Sequence, residues 1–491
     1  MFITSYVFFP FLIDVGLQLY LGILNNNYFL IHLGLTALCV PLFFANHNKR
    51  KILVYGYFAL FYLPTIIDVL HIFVFGGQMN IFSIKAILDT NPKEAAEFIV
   101  HFSNVKSLLF LTSIIGISCF LIRKVIKYRK QYQLSKLWNF AFFVGFSISC
   151  FTFGSYKPTF LKIVLSCVNY YQELDFIKQC KEKRPSLNYG KISSLIEKDI
   201  PQTYVIIIGE SATREHLSLY GYNRKTTPLC DSIKDELAIF DNIQSAHCQT
   251  LLVLQEALVL DDFSKGDVIS FFKQAGFKTF WLSTQFNGGH FDNLIAIIAQ
   301  QANVCKFITS KDASQTNGKC FDELLIPHFQ NALNDQCKKK VIFLHLLGSH
   351  SIYENRYPKR FKYFSDNSCR INQTIAEYDN SIAYTDSIIY KCIQLLKKQN
   401  CCSYLLYLSD HGEDVRDADD CIFDHNETSK TPMMSEIPFF VWTSEKYKSL
   451  NKDFIATWQI HRHYKTNNLT HSILDLSRFK NENIDKNKSA F

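Results

Sequence analysis

Five long apolar blocks crowd the first third of the chain: Phe2 to Leu24, Tyr28 to Ala45, Ile52 to Phe75, Ser107 to Ile122 and Leu137 to Phe153. Most approach the roughly 20 apolar residues that carry a helix across a bilayer. They predict a five-span α-helical membrane domain over residues 1–154, with the ends of the two short blocks, the fourth and fifth, the least well marked. Lys49, Arg50 and Lys51 lie between the second and third blocks. Arg123, Lys124, Lys127, Arg129, Lys130 and Lys136 lie between the fourth and fifth. Basic loops stay on the cytoplasmic side, so an odd number of spans puts everything after Gly154 outside. A cleaved signal peptide would start with basic residues and end in small ones, and the first block has neither. The net charge of +8 is mostly accounted for by these inner loops, so it is no argument for a nucleic-acid partner.

Residues 82–99, FSIKAILDTNPKEAAEFI, separate the third and fourth blocks in an outer loop near 77–104. Apolar faces on either side of Asn91 and Pro92 read as two amphipathic turns on the outer membrane surface. Asn91, Glu94 and Glu97 would then face lipid headgroups, although a plain solvated helix has the same pattern. Residues 155–200 read as a bridging helix and a polar linker, and residues 201–491 as a soluble domain. Ten of the fifteen cysteines fall in that domain: Cys230, Cys248, Cys305, Cys320, Cys337, Cys369, Cys392, Cys401, Cys402 and Cys421. An oxidising exterior with up to five disulfides is the expectation. No paired CxxC spacing suggests a zinc finger.

The soluble domain is organised by short β-branched and aromatic runs that end in acids or histidines. Val205–Ile208 leads to Glu210; Val341–Leu344 leads to His345 and, after Gly348, to His350; Tyr404–Leu408 leads to Ser409, Asp410, His411, Gly412 and Glu413. Continuous apolar runs of this length suit strands covered on both faces. With Lys278–Leu282, Ile437–Trp442 and helical stretches at Gly266–Gln274 and Thr385–Lys397, they predict an α/β doubly wound, mostly parallel sheet. Ligands bind beyond the carboxyl ends of such strands, and three runs that each deliver Asp, Glu or His there describe one converging site. Any one alone would be weak: Glu210 could stabilise a helix N-terminus, and His350 could be a turn residue. His247 and His345 read as neighbours or core.

Thr250 is the expected nucleophile. A threonine hydroxyl is weak at neutral pH and needs a base or a metal. Glu210, Asp410 and His411 supply oxygen and imidazole donors that suit Zn²⁺, with Thr250 as the fourth tetrahedral ligand. His350 and His425 are left to contact phosphate oxygens, protonate a leaving alkoxide or hold a second metal.

These residues sit in motifs that resemble a family. GESATREHLSLYGYNRKTTP, Cys248-Gln249-Thr250, HLLGSHSIYENRYP and LLYLSDHGEDV, after five spans, are similar to the phosphoethanolamine transferases of Gram-negative inner membranes, in the alkaline phosphatase and sulfatase superfamily. The likeness runs along essentially the whole chain. It implies a multi-pass inner-membrane enzyme with a periplasmic catalytic domain, acting as a monomer with one zinc ion and room for a second during turnover. Glu210, Thr250, Asp410 and His411 match the family's zinc ligands, and His350 and His425 its further active-site histidines. It also implies phosphatidylethanolamine as donor and lipopolysaccharide as acceptor, both reached within the membrane plane. Enzymes of the family that act on lipid A have Cys-Gly-Thr at the nucleophile and a lysine after the strand holding Phe280-Trp281-Leu282. Gln249 and the lysine-free stretch Asn287, Gly288, Gly289, His290 depart from that pattern and favour a heptose of the core oligosaccharide. Gln285, Asn287 and His290 are then the expected contacts to the ethanolamine headgroup. A lipid A transferase conferring polymyxin resistance and a phosphoglycerol transferase are the nearest alternatives, and an envelope scaffold with a degenerate domain is the non-enzymatic one.

Overall fold

The computed structural model describes residues 2–20, 50–75, 105–127, 159–183, 190–285, 294–308, 320–415 and 430–491, apart from 198, 367 and 369, together with isolated positions between 29 and 144. It separates into two compact units, Met1–Asp175 and Phe176–Phe491.

In the first unit α1 spans Phe2–Tyr20, and α2 (Arg50–Tyr57) runs through a π-helical turn, Phe58–Tyr62, into α3 (Leu63–Phe75). Then α4 covers Val105–Lys127 and α5 Thr159–Lys183. Among the described residues, three stretches are long and apolar enough to cross a membrane: Phe2–Tyr20, Arg50–Ile72 and Leu108–Lys127. The second and fifth expected spans fall largely outside the described residues, as do Asn91 and Glu94. The fourth block is longer as a helix than its apolar run, because α4 continues through Lys124 and Lys127, whose charges suit a helix C-terminus. Tyr6, Tyr57 and Tyr62 are buried inside this unit, and each hydroxyl donates to a backbone carbonyl: Tyr6 to Val54 at 2.6 Å, Tyr57 to Val7 at 2.8 Å and Tyr62 to Tyr6 at 2.6 Å. Polar groups sealed away from water require such partners.

The second unit is built on a seven-stranded sheet. Its strands are β1 (Gln202–Gly209), β2 (Leu237–Phe240), β3 (Lys278–Ser283), β4 (Val304–Phe307), β5 (Lys339–His345), β6 (Cys402–Ser409) and β7 (Phe439–Thr443), in the spatial order β2-β7-β6-β1-β5-β3-β4. Strands β6, β1, β5, β3 and β4 are parallel. Strands β7 and β2 close one side antiparallel. Side chains alternate between two cores. Tyr204, Ile206 and Ile208 of β1, with Phe343 and Trp281, pack beneath α6 (Thr250–Ala257), α7 (Val268–Gln274) and α11 (Leu469–Leu476). Val205 and Ile207, with Ile342, Leu344 and Leu405, pack beneath α9 (Leu325–Leu333) and α10 (Arg370–Lys397). The short helix α8 (Leu294–Ala299) joins the first layer. Covering both faces is why the central strands read as unbroken apolar runs. Replacing a large side chain here, such as Phe343 by alanine, costs about 3–5 kcal/mol.

Two expectations need correcting. Helix α10 begins at Arg370, not Thr385. Its first half buries Tyr378, Asp379, Asn380 and Ser381, and four consecutive polar positions interrupt the apolar stripe that marks a helix. The second correction concerns five disulfides. Cys230, Cys305, Cys337, Cys392, Cys401 and Cys402 are unbridged thiols, which leaves too few cysteines for five bridges. Cys230 and Cys392 are packed inside one core and Cys402 inside the other, where they act as small apolar side chains.

Candidate active site

Strands β1 and β6 run in register, with Ile208 beside Leu408 and Gly209 beside Ser409, so their next residues leave the sheet together. Glu210 follows one strand, and Asp410 and His411 follow the other. All three are at most 1% exposed. Their ligand atoms lie within 4.8 Å of one another. His411 Nε2 is 3.2 Å from Glu210 Oε1 and 3.6 Å from Asp410 Oδ2, while its Nδ1 donates to the Gly412 carbonyl at 2.9 Å. That second bond fixes the ring so that Nε2 faces the carboxylates.

Thr250 is the first residue of α6. Its Oγ1 donates to Glu210, 3.0 Å from Oε2 and 3.2 Å from Oε1, and lies 3.3 Å from His411 Nε2. The hydroxyl therefore meets the strand-end cluster across a separation of 40 residues from Glu210. The positive end of the α6 dipole adds to the field around it.

The cluster fits a divalent cation. Two carboxylates and an imidazole are sealed together at the strand ends. Burial, and then the charge of Glu210, push the Asp410 carboxyl well above the usual carboxylate range. Burial works against protonation of His411, yet the charges of Asp410 and Glu210 outweigh it and hold the imidazole pKa high. Asp410 Oδ2 makes no hydrogen bond among the described residues. Buried like charges and an unsatisfied acceptor are the setting that a metal ion relieves.

The backbone around the cluster is shaped to hold it. Ser211 has φ +57°, in the left-handed region that a non-glycine residue rarely occupies. Its N–H donates to Asp410 Oδ1 at 3.1 Å, and its hydroxyl to Glu210 Oε1 at 2.8 Å. The Ser409 hydroxyl accepts the Ala212 N–H and donates to the His411 carbonyl, both at 2.8 Å. Gly348 has φ +49°, and a Cβ there would lie 2.8 Å from the Glu210 nitrogen and oxygen. Only glycine permits that close approach.

Among the other expected site residues, Gln285 donates through Nε2 to Glu210 Oε2 at 2.9 Å and to the Leu346 carbonyl at 3.0 Å. His350 lies in the loop after β5, where its carbonyl accepts from Arg356 Nε at 3.0 Å. His345 is buried against Trp281, and burial lowers its pKa to about 4, which keeps it neutral. His247 faces Glu256 at 3.2 Å. His425, Asn287 and His290 lie outside the described residues.

Two supports escaped sequence reasoning. Asp322 is buried and accepts from the Thr284 hydroxyl, from Leu347 N at 2.8 Å and from Gly348 N at 3.0 Å. It fastens the β5 loop to the end of β3, yet it stands in no motif. The second support is one turn of α10. The Tyr378 hydroxyl donates to the Ser211 carbonyl at 2.7 Å and accepts from Thr213 N at 2.9 Å. Asp379 meets His216 Nδ1 at 2.7 Å, Arg224 Nη1 at 2.8 Å and the Tyr222 hydroxyl at 3.1 Å. Asn380 holds residues 363 and 364, and the Ser381 hydroxyl donates to Ser349 Oγ at 2.8 Å. Four consecutive side chains thus tie four stretches of chain around the site. The clue lay in buried polarity, which a search for apolar periodicity passes over.

A seven-stranded, mostly parallel sheet with a threonine hydroxyl set against acids and a histidine at its strand ends defines a class, and residues 202–478 match the model of the sulfatase family. That is more than half of the chain, and the chain belongs to this family. Over 463 residues it is 27% identical to phosphoethanolamine transferase EptC of Escherichia coli K12, covering 85% of this chain and 78% of that one. The periplasmic domain of E. coli EptC, solved in complex with zinc, aligns with a TM-score of 0.56 at 30% identity, over 61% of this chain and 88% of its own. The integral membrane lipooligosaccharide phosphoethanolamine transferase A (EptA) of Neisseria meningitidis aligns over 100% of this chain and 98% of its own. Its TM-score of 0.70 at 18% identity is a likeness of fold.

Proposed function

We propose that this chain transfers phosphoethanolamine from phosphatidylethanolamine to lipopolysaccharide, on a heptose of the core oligosaccharide, through a phosphoethanolamine ester of Thr250. The observation that carries the reading is the Thr250 hydroxyl, poised 3.0 Å from Glu210 and 3.3 Å from His411 Nε2 at the start of a helix. Names of relatives support the chemistry, and Gln249 together with the lysine-free stretch after β3 supports the core over lipid A.

Glu210, Asp410, His411 and Thr250 would hold one zinc ion, with a second joining during turnover. Bound there, zinc supplies positive charge that favours the alkoxide form of a threonine. Glu210 orients the Thr250 hydroxyl. In the first half-reaction Thr250 Oγ1, already deprotonated, bonds to phosphorus as the P–O bond to diacylglycerol breaks, and the departing alkoxide takes a proton from His350 or His425. In the second, the acceptor hydroxyl returns a proton to that imidazole as its oxygen displaces Thr250. Gln285, Asn287 and His290 remain assigned to the ethanolamine headgroup, and Asn91 and Glu94 to lipid headgroups. The reading includes five spans over residues 1–154, a bridge over 155–200 and a periplasmic catalytic domain over 201–491, in a monomeric inner-membrane enzyme.

Mass spectrometry of lipopolysaccharide tests this, using cells that express the wild-type chain or Thr250→Ala and mild-acid cleavage into core and lipid A. Thr250-dependent phosphoethanolamine on the core is the expected result. The same increment on lipid A would move the acceptor, and no increment on either fraction would sink the transferase reading for lipopolysaccharide.

A further inference from the structure

Directly after the His350 loop, residues 357–364 read YPKRFKYF, three cations interleaved with aromatic side chains. This segment is exposed yet firmly built. The fully buried Asn380 accepts the N–H groups of Tyr363 and Phe364 at 2.8 Å each and donates to the Phe364 carbonyl at 2.9 Å. The Phe361 ring packs on Tyr384 with centroids 4.9 Å apart. From the neighbouring loop, the Arg224 guanidinium lies over the Phe364 ring at 5.8 Å while its side chain stays 34% exposed. The anchors hold the backbone and leave the functional ends outside: Tyr363 is 61% exposed. Arg360 pairs with Glu323, whereas Lys359 and Lys362 are exposed and form no ion pair among the described residues.

A loop that serves only as a connection has no need of a buried asparagine to fix it beneath an exposed tyrosine and two exposed ammonium groups. Fixed cations beside an exposed ring match a phosphorylated saccharide, with charge for phosphate and a ring face for sugar C–H groups. The donor lipid, with a zwitterionic headgroup, gives such a surface little purchase; a polyanionic acceptor does. The anchoring residue lies beside those that hold the Ser211 turn and Ser349, so the surface is fixed by the same turn of α10 as the nucleophile's surroundings.

We propose that Lys359, Lys362 and Tyr363, backed by Arg224, form the docking surface for the anionic oligosaccharide of the acceptor. This rests on the transferase reading and names where its second substrate binds. The test uses the full chain in detergent micelles, carrying Thr250→Ala so that binding is read without turnover. Purified lipopolysaccharide is titrated against that chain and against versions also bearing Lys359→Glu with Lys362→Glu, or Tyr363→Ala. The double charge reversal should raise Kd about tenfold and flatten its salt dependence, and Tyr363→Ala should weaken binding by a few-fold at any salt concentration. In chains with Thr250 intact, diacylglycerol release from phosphatidylethanolamine should be unchanged by all three substitutions. Unaltered lipopolysaccharide affinity would overturn the proposal. So would an equal loss of donor cleavage, which would make the segment a support of the nucleophile, or a defect confined to anionic phospholipid vesicles, which would make it a membrane contact. Failure of the wild-type chain to release diacylglycerol would count against the transferase reading instead.

Discussion

Two sets of fully buried polar side chains stand next to each other in the second unit, and the fold treats them in opposite ways. Glu210, Asp410 and His411 crowd two carboxylates against one imidazole and leave Asp410 Oδ2 without a hydrogen bond among the described residues. Tyr378, Asp379, Asn380 and Ser381 are just as buried, yet each has named partners, and Asp379 has both a histidine and an arginine. Satisfied burial fixes geometry, while unsatisfied burial leaves a demand for a ligand. The first set is chemistry in waiting, and the second is the frame that keeps it in place.

The largest expected effect breaks the comparison directly. Asp410→Asn removes one of two like charges, so it should abolish zinc retention while leaving the chelated protein as stable as the wild type or more so. Asp379→Asn strands His216 and Arg224 and should cost about 3 kcal/mol with or without metal. Thermal melts with and without chelator, together with zinc content by elemental analysis, separate the two. If both variants respond to chelator alike, the contrast is wrong.

A smaller effect sharpens it. Tyr378→Phe removes two hydrogen bonds from the Ser211 turn, worth about 1 kcal/mol each, without touching the cluster. Because Ser211 follows Glu210 directly, kcat should fall about tenfold with the donor KM unchanged. Steady-state kinetics in mixed micelles would show this, and a change confined to KM would contradict a positioning role.

The smallest effect supplies a solvent-exposed baseline. Lys278 Nζ lies 2.6 Å from Asp335 Oδ2 in a partly exposed pair. The Lys278 hydrogen bond lowers the Asp335 pKa to about 2. A depressed carboxylate stabilises the fold above its unfolded value of about 4, and that contribution is lost as pH falls through about 2. Screening limits it to below about 1 kcal/mol. Lys278→Met should therefore lower stability slightly at neutral pH, and its difference from the wild type should fade as pH falls from about 4 to about 2, as read by unfolding midpoints across that range.

The contrast also explains what was legible. Strand ends that deliver Glu210, Asp410 and His411 stand out because acids and histidine after an apolar run have few structural uses. Thr250 was reachable through its motif, although its place at the start of α6 came only with the fold. Asp322 and the Tyr378–Ser381 turn were not legible, since their partners are scattered along the chain and buried polarity imitates a solvent-exposed stretch.

By itself the sequence determined the apolar helices, the buried parallel strands and the residue types gathered at their ends, because periodicity and covering are local properties of the chain. Tertiary structure alone decided that Thr250 meets Glu210 from 40 positions away, that α10 ties four loops together and that the packed cysteines remain thiols. Those outcomes depend on distances between remote residues, and such distances exist only once the sheet has brought the strands into register.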